Sequence, residues 1–363
     1  MTERHRRRSP WNLGRVLLVS ILGLATAVGA QSSEPYGANE AADTAEAAEV
    51  AEAAEVAEDL EALGIVIHER VELELQQIYA SVEGRGGARV LDLERDELQL
   101  LDEGRPQELV TFERGGVPMT AVLLVDGSLS MEGAPMAAAR EGLRTFLTGL
   151  EPADEARVVL FTDQIVAMSD FVSGGAEPPA LDALEAAGGS AVNDHLYFAL
   201  QLLESRQGRR VVLLLSDGAD NHSVLTAEEV REVAQRSQAM VYWVRLRGNA
   251  LVRAQTTRNG IAMRVMRRVQ EPRSAWREGE QAVAERRTLE RIARDSGGRI
   301  LTLERSDEIA TAYDSILKEL REQYALGYYP DPPYDDGRWR AITLEAPGRR
   351  GLTLRTRGGY FDF

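Results

Sequence analysis

The chain has 363 residues, of which 44% are hydrophobic, so it is long enough for two or three domains with real cores and is not disordered as a whole. Its formal net charge of -16 opposes binding to nucleic acid and to anionic lipid, and we expect no nucleic-acid partner. The sequence has no cysteine, which excludes disulfides, thiolate metal sites, cysteine nucleophiles and a lipid anchor on cysteine.

Residues 1–30 have the organisation of a secretory signal peptide. A basic stretch from Arg4 to Arg8 precedes an apolar run from Leu13 to Val28, and Val28-Gly29-Ala30 is a small-residue cleavage site. An uncleaved membrane anchor is the alternative, but the apolar run is short for a span of ~20 residues. We therefore expect an exported protein, in the periplasm, at the cell surface or secreted, with membrane contact only if the segment is retained.

Residues 31–62 form a low-complexity segment. From Ala45 to Asp59 it reads AEAAEVAEAAEVAED, where alanine and glutamate favour helix but like charges crowd together and no wide apolar stripe is present. We expect a solvated spacer here rather than a coiled-coil contact.

Residues 63–116 change to the alternation of a half-buried sheet. Val71, Leu73 and Leu75 alternate with polar residues, and the stretches 97–101 and 108–112 have a similar pattern. This region is predicted to be a small β unit.

Residues 117–322 carry continuous apolar runs separated by helical stretches. The runs are Ala121–Val125, Val158–Phe161, Val211–Leu215 and Met240–Val244, with a weaker one at 299–303. Helices are predicted at about 135–150, 191–204, 226–238 and 285–296. Strands that are apolar on both faces are typical of a parallel sheet covered by helices. The pattern predicts an α/β domain with a doubly wound, mostly parallel sheet.

Residues 323–363 return to β structure after a helix near 306–323. Extended stretches at 324–329, 340–345 and 352–356 are separated by turn residues. The simplest architecture inserts the α/β domain into one smaller β sandwich made from residues 63–116 and 323–363.

Polar residues follow the predicted parallel strands at the ends where ligands bind in such folds. Asp126, Ser128 and Ser130 form a D-x-S-x-S arrangement directly after one strand, and Asp217 follows another. A third loop contains Ser190 after a pair of glycines. We expect the three loops to converge.

The residue types in these loops suit a hard divalent cation. Two carboxylates and three hydroxyls are oxygen ligands of the kind that Mg²⁺ prefers, with Mn²⁺ and Ca²⁺ as alternatives. They are too few to fill an octahedral shell, so water or an Asp or Glu carboxylate from a partner protein must complete it.

These loops resemble the metal-ion-dependent adhesion site of a von Willebrand factor A domain. In that family the first loop has the form met here by Asp126, Ser128 and Ser130, and the third has an Asp followed by Gly, met by Asp217 and Gly218. The second loop usually contributes Thr, where this chain has Ser190. The resemblance implies that Asp126 and Asp217 anchor the metal, that Ser128 and Ser130 coordinate it directly, and that Ser190 or Asp217 acts partly through water.

The flanking regions look like those of bacterial exported proteins called VWFA-related. The resemblance covers roughly residues 65–363, including the tail stretch from Gln323 to Tyr328, but not an insertion at about 247–285. The insertion is rich in arginine with few acids. It is either a solvated insertion, the simpler interpretation, or a basic lid that draws an acidic partner to the metal.

Three further polar residues lie near the predicted metal edge. Asp194 is expected to support the helix after Ser190 and is a candidate for contact behind the metal ligands. Asp220 and His222 are candidates for partner contact, although an ordinary surface histidine is the simpler interpretation of His222.

The function favoured by these features is metal-dependent binding of another protein, as in adhesion or scaffolding. A structural envelope protein with an idle metal loop is an alternative. A metal-dependent hydrolase is disfavoured, because the sequence has no G-x-S-x-G elbow, no P-loop and no histidine base evident beside the loops. We therefore expect a protein that is not an enzyme.

Overall fold

The structure is a computed structural model that describes residues 75–175, 188–247, 273–334 and 336–362, with side chains in the helix at 273–280 left aside. The predicted signal peptide, the spacer and most of the arginine-rich insertion lie outside these ranges. All described residues belong to one compact unit. No helix within these ranges has both the length and the apolar character needed to cross a bilayer.

Fifteen strands and five α-helices are numbered here in chain order within the described residues. They are β1 (Gln76–Glu83), β2 (Gln99–Asp102), β3 (Arg105–Gln107), β4 (Leu109–Arg114), β5 (Met119–Asp126), α1 (Ala134–Thr148), β6 (Glu155–Phe161), β7 (Ile165–Met168), β8 (Val172–Ser173), α2 (Val192–Glu204), β9 (Arg209–Ser216), α3 (Ala227–Ser237), β10 (Met240–Leu246), α4 (Arg273–Asp295), β11 (Ile300–Leu303), α5 (Ile309–Arg321), β12 (Tyr324–Tyr328), β13 (Trp339–Glu345), β14 (Thr353–Arg355) and β15 (Gly359–Phe361).

The central sheet has the strand order β11-β10-β9-β5-β6-β7. The first five of these strands are parallel, whereas β7 and β8 both pair with β6 in antiparallel fashion. Residues on one face of β5, such as Leu123, pack against α1 and α5, and those on the other face, such as Leu124, pack against α2, α3 and α4. The predicted fold class, a mostly parallel α/β sheet, is confirmed.

The sequence on either side of the α/β domain forms two four-stranded sheets. One has the order β14-β1-β12-β4 and the other β15-β13-β2-β3, so each combines strands from both flanks. Their shared core includes Ile78, Leu100, Leu326 and Ile342. The flanks therefore pair with each other, as expected for a domain inserted in a β sandwich.

The structure differs from the sequence prediction at several elements. The first described strand begins at Gln76, and the alternating residues before Leu75 lie outside the described ranges. Strands β7 and β8 were not predicted, because the exposed edge strand β7 has no buried side chain to give a pattern. Helix α4 begins at Arg273, well before the predicted start near 285, so part of the presumed insertion is helical.

Candidate functional site

The three predicted loops meet at the carboxyl ends of β5 and β9, which are neighbouring parallel strands. Asp126 is the last residue of β5, and Ser216 is the last residue of β9, directly before Asp217. Ser190 lies just before α2. The amide of Leu129 donates to the carbonyl of Gly188 (3.3 Å), which joins the first loop to the second.

Asp126 is fully buried, and three hydrogen bonds fix its carboxylate. Its Oδ1 accepts the backbone N–H of Ser128 (2.9 Å), and its Oδ2 accepts the hydroxyls of Ser190 (3.0 Å) and Ser216 (2.7 Å). Burial raises the pKa of Asp126 above its ordinary value, against the lowering effect of the hydrogen bonds. The carboxylate is therefore held in one orientation at the cost of lost hydration.

Ser130 and Asp217 face solvent in front of this buried group. The Oγ atoms of Ser128 and Ser130 lie 3.1 Å apart, and Ser128 is buried whereas Ser130 is exposed. Asp217 is half-buried and adds to the raised pKa of Asp126, so the two carboxylates interact. Ser130 and Asp217 line one open cleft of about 400 Å³. All five predicted ligands thus belong to one site.

The donor set of this site fits a hard divalent cation. Hydroxyl and carboxylate oxygens are brought together from three loops, and oxygens of this kind are the ligands that hard divalent cations prefer. A cation beside Asp126 would also oppose the effect of burial on its charge. The residues therefore suit Mg²⁺ better than a soft metal.

Ser216 belongs to the site although it was not among the predicted ligands. Its Oγ donates to Asp126 and accepts the N–H of Gly218 (3.0 Å), while its carbonyl accepts the indole N–H of Trp243 (3.1 Å). The available signal was a hydroxyl residue at the end of an apolar strand, immediately before Asp217. Ser216 thus positions both carboxylate loops.

Gly218 is at a position that admits only glycine. Its φ is +78°, and an added Cβ would lie 2.4 Å from the ring of Trp243. The turn after Asp217 therefore depends on close packing of bare backbone against this indole.

Asp194 and Asp220 organise the loop behind the site. Asp220 Oδ2 accepts the N–H of Asn193 (2.8 Å) in the first turn of α2, whose own cap residue makes no side-chain hydrogen bond. In return, Asp194 accepts the N–H groups of Val224 (2.9 Å) and Leu225 (2.8 Å). The two carboxylates cap each other's segments, so both have structural partners.

His222 lies against the second loop, closer to the site than the sequence suggested. A Cβ on Gly189 would lie 2.2 Å from the His222 ring, and the His222 amide donates to the carbonyl of Ser190 (3.1 Å). His195 is different: its ring stacks on Phe161 and its Nδ1 lies 2.7 Å from the carbonyl of Ala191. Of the two histidines in the described ranges, His222 is the exposed one and lies beside the site.

The far wall of the cleft carries two exposed ion pairs. Arg247 pairs with Glu304 (2.6 Å), and the Nε of Arg305 lies 2.8 Å from Asp307 Oδ1. Arg247 is the first residue of the arginine-rich insertion. The next residues, 248–272, lie outside the described ranges. The basic-lid hypothesis therefore stays a prediction.

Comparison with known proteins gives one family match, over residues 121–219, to the von Willebrand factor type A domain. An uncharacterized protein of Synechocystis sp. is 27% identical over 111 residues, which are 29% of this chain and 26% of that protein. The similarity thus spans about a quarter of that relative's length.

Several solved structures have a similar chain course. One is a von Willebrand factor type A protein from Catenulispora acidiphila, with 14% identity, a match that covers 82% of this chain and 75% of that chain, and a TM-score of 0.39. A second is the vWF domain of the type V pili tip protein Mfa5 from Porphyromonas gingivalis, with 13% identity, a match that covers 56% of this chain and 94% of that chain, and a TM-score of 0.38. A third is proximal thread matrix protein 1 from the mussel byssus, with 14% identity, a match that covers 61% of this chain and 51% of that chain, and a TM-score of 0.40. Residues 121–219 therefore match the von Willebrand factor type A family model, and the structure shows a mostly parallel sheet covered by helices over this stretch.

Proposed function

We propose that this domain binds a divalent cation, Mg²⁺ in the first place, and through it a carboxylate presented by another protein. The observation that carries the proposal is the convergence on Asp126 of hydroxyls from separate loops, next to an open cleft. Domains of this family often mediate contact between proteins, which supports the same assignment.

Some side chains of the site orient the Asp126 carboxylate, and others supply oxygens that contact the cation. Ser216 and the Ser128 amide orient Asp126. The oxygens offered to the cation are those of Asp126, Ser128, Ser130, Ser190 and Asp217. A bound Mg²⁺ would supply a Lewis acid that accepts one further anionic oxygen. The cleft between Asp217 and the ion pairs at Arg247 and Arg305 leaves room for the partner's side chain.

Two exposed apolar side chains on the loops of the site are available to a protein partner. Leu129, between the two ligand serines, has an exposed fraction of 60%, and Val224 on the loop after β9 has 89%. Large apolar side chains exposed at a polar site are typical of interaction surfaces. We propose that the protein acts after export, with residues 1–30 as its signal peptide.

The proposal is tested by capture of partners on immobilised protein from the exported fraction of the producing cells. A carboxylate-dependent partner should bind with Mg²⁺, elute with EDTA and be absent from Asp126→Asn. The control is Glu141→Gln, which removes an exposed carboxylate that pairs with Arg144 on α1 and should retain the partner. Equal recovery by Asp126→Asn would instead support an idle metal loop.

The enzyme alternative has a separate test, since His222 lies near the site. Hydrolysis of phosphate and carboxylate esters would be measured with and without Mg²⁺. We expect no turnover above that of Asp126→Asn. A Mg²⁺-dependent rate lost in both Asp126→Asn and His222→Gln would establish a hydrolase and contradict the proposed function.

A further inference from the structure

A second cleft, of about 450 Å³, lies at the opposite end of the central sheet. Its walls come from the starts of β9 and β10, from β1 and from the segment after β14; they include Tyr79, Arg210, Met240 and Arg357. Arg210 lies seven residues before Asp217 along β9, which corresponds to roughly 23 Å at ~3.3 Å per residue. The cleft is therefore distinct from the site at Asp126.

Arg357 brings a buried positive charge to this cleft without an acidic partner. Its exposed fraction is 7%, its Nη2 donates to Gln76 Oε1 (3.0 Å), and its Nε is buried with no hydrogen-bond partner. Within the described ranges no carboxylate lies within ion-pair distance of it. Burial lowers the pKa of Arg357 to about 10, and the charge of Arg210 acts in the same direction.

Arg210 lines the same cleft and is also without a carboxylate at ion-pair distance in the described part of the chain. Its pKa is lowered by burial, with only weaker opposing effects from Tyr79 and Glu204. Neighbouring arginines differ. Arg206 pairs with Glu155 (2.8 Å), and Arg209 donates to the carbonyls of Leu320 and Val117.

Glu204 also lines the cleft and attracts Arg210, but neither guanidinium forms an ion pair within the described residues, and a buried charge such as that of Arg357 is normally paired. The free N–H groups of guanidinium match the oxygens of carboxylates and phosphates. The volume is that of a small-molecule site, and the amide side chains of Gln77, Gln207 and Gln238 line it as well. We propose that this cleft binds a small organic anion, with its carboxylate or phosphate group between Arg210 and Arg357.

The test is calorimetric titration with inorganic phosphate and, separately, with citrate, in buffer freed of divalent cations beforehand on a chelating resin, so that no bound metal at Asp126 contributes. Sodium chloride at equal ionic strength is the reference. We expect saturable binding of at least one anion, and the stronger of the two identifies the group that is recognised. Arg210→Gln should weaken binding about tenfold or more.

Two variants make the result decisive. Arg144→Gln removes the same charge from an exposed ion pair on α1 and should bind as the wild type does. Arg210→Lys keeps the charge but loses the guanidinium N–H groups, so it should bind with intermediate affinity and serves if the Gln variant does not fold. The proposal is overturned if neither anion binds saturably, or if substitution of Arg210 leaves the affinity unchanged.

Discussion

At the scale of single residues, two effects on the charge of the Asp126 carboxylate oppose each other in the absence of a cation. Three hydrogen bonds hold the carboxylate in place, while burial raises its pKa. The folded protein therefore binds the proton more tightly than the unfolded chain does. The stabilising contribution of this group is fully present below the unfolded pKa of ~3.9 and is lost as pH rises through the higher folded value.

This balance predicts how Asp126→Asn behaves with pH in the presence of chelator. The amide keeps an oxygen for the Ser128 N–H but carries no charge at any pH. We expect its unfolding temperature to rise relative to the wild type as pH increases above about 4, because only the wild type must bury a charge. Thermal unfolding of both proteins measures this; a constant difference across that range would contradict it.

Asp217 and Asp220 lie three residues apart, but we predict that their substitution changes different properties, metal affinity for Asp217 and stability for Asp220. Asp220→Ala removes the bond to the first turn of α2 and should cost about 1 kcal/mol of stability, as helix caps do. Asp217→Ala should leave stability nearly unchanged but weaken Mg²⁺ binding about tenfold or more. Chemical denaturation and calorimetry separate the two effects; equal losses of Mg²⁺ affinity in both variants would count against the assigned roles.

At the scale of elements, the turn after β9 is set by its packing on Trp243. Gly218→Ala adds a Cβ at a positive φ and into the indole ring, so we expect a loss of more than about 2 kcal/mol and a weaker metal site. The control is Gly104→Ala. Gly104 has a φ of +76°, and no atom lies within 4 Å of the Cβ that alanine would add, so the variant should lose only about 1 kcal/mol of stability from the unfavourable backbone conformation. Equal losses in urea unfolding would show that contact with Trp243 does not matter.

The parallel strands and the loops after them could be predicted because burial on both faces leaves a plain pattern. All eight residues of β5 are buried, and the polar residues begin where the strand ends. The role of Ser216 was not predicted, because the pattern at the end of β9 does not show which group its side chain bonds. The reciprocal capping by Asp194 and Asp220 was not predicted for the same reason. Strand β7 was not predicted because all of its side chains are exposed, so it has no pattern of buried residues.

At the scale of the whole molecule, one buried carboxylate joins the β sandwich to the α/β domain. Glu319 on α5 has an exposed fraction of 1% and accepts the hydroxyls of Ser81 (3.2 Å) and Tyr242 (2.8 Å). It also pairs with Arg299 (2.8 Å) and Arg355. Ser81 and Arg355 come from the sandwich, so this network couples the two parts.

Removing that charge should therefore destabilise both parts together. Glu319→Gln leaves two half-buried arginines without their counter-ion, and we expect a loss of about 3–5 kcal/mol. Glu228→Gln, which breaks an exposed ion pair with Arg231 on α3, should cost less than about 1 kcal/mol. Denaturation followed by near-ultraviolet circular dichroism checks this; a loss below 1 kcal/mol for Glu319→Gln would mean that the network does not hold the parts together.

The measurement that tests the central claim most directly is calorimetric titration of Mg²⁺ and Mn²⁺ into the protein without its first thirty residues, beside Asp126→Asn. The account predicts saturable binding of one cation per chain by the wild type and none by the variant, with both proteins folded. Wild-type binding that persists unchanged in Asp126→Asn would place the cation elsewhere. No binding by the wild type, even with acetate present to supply the missing carboxylate, would contradict a metal-dependent function.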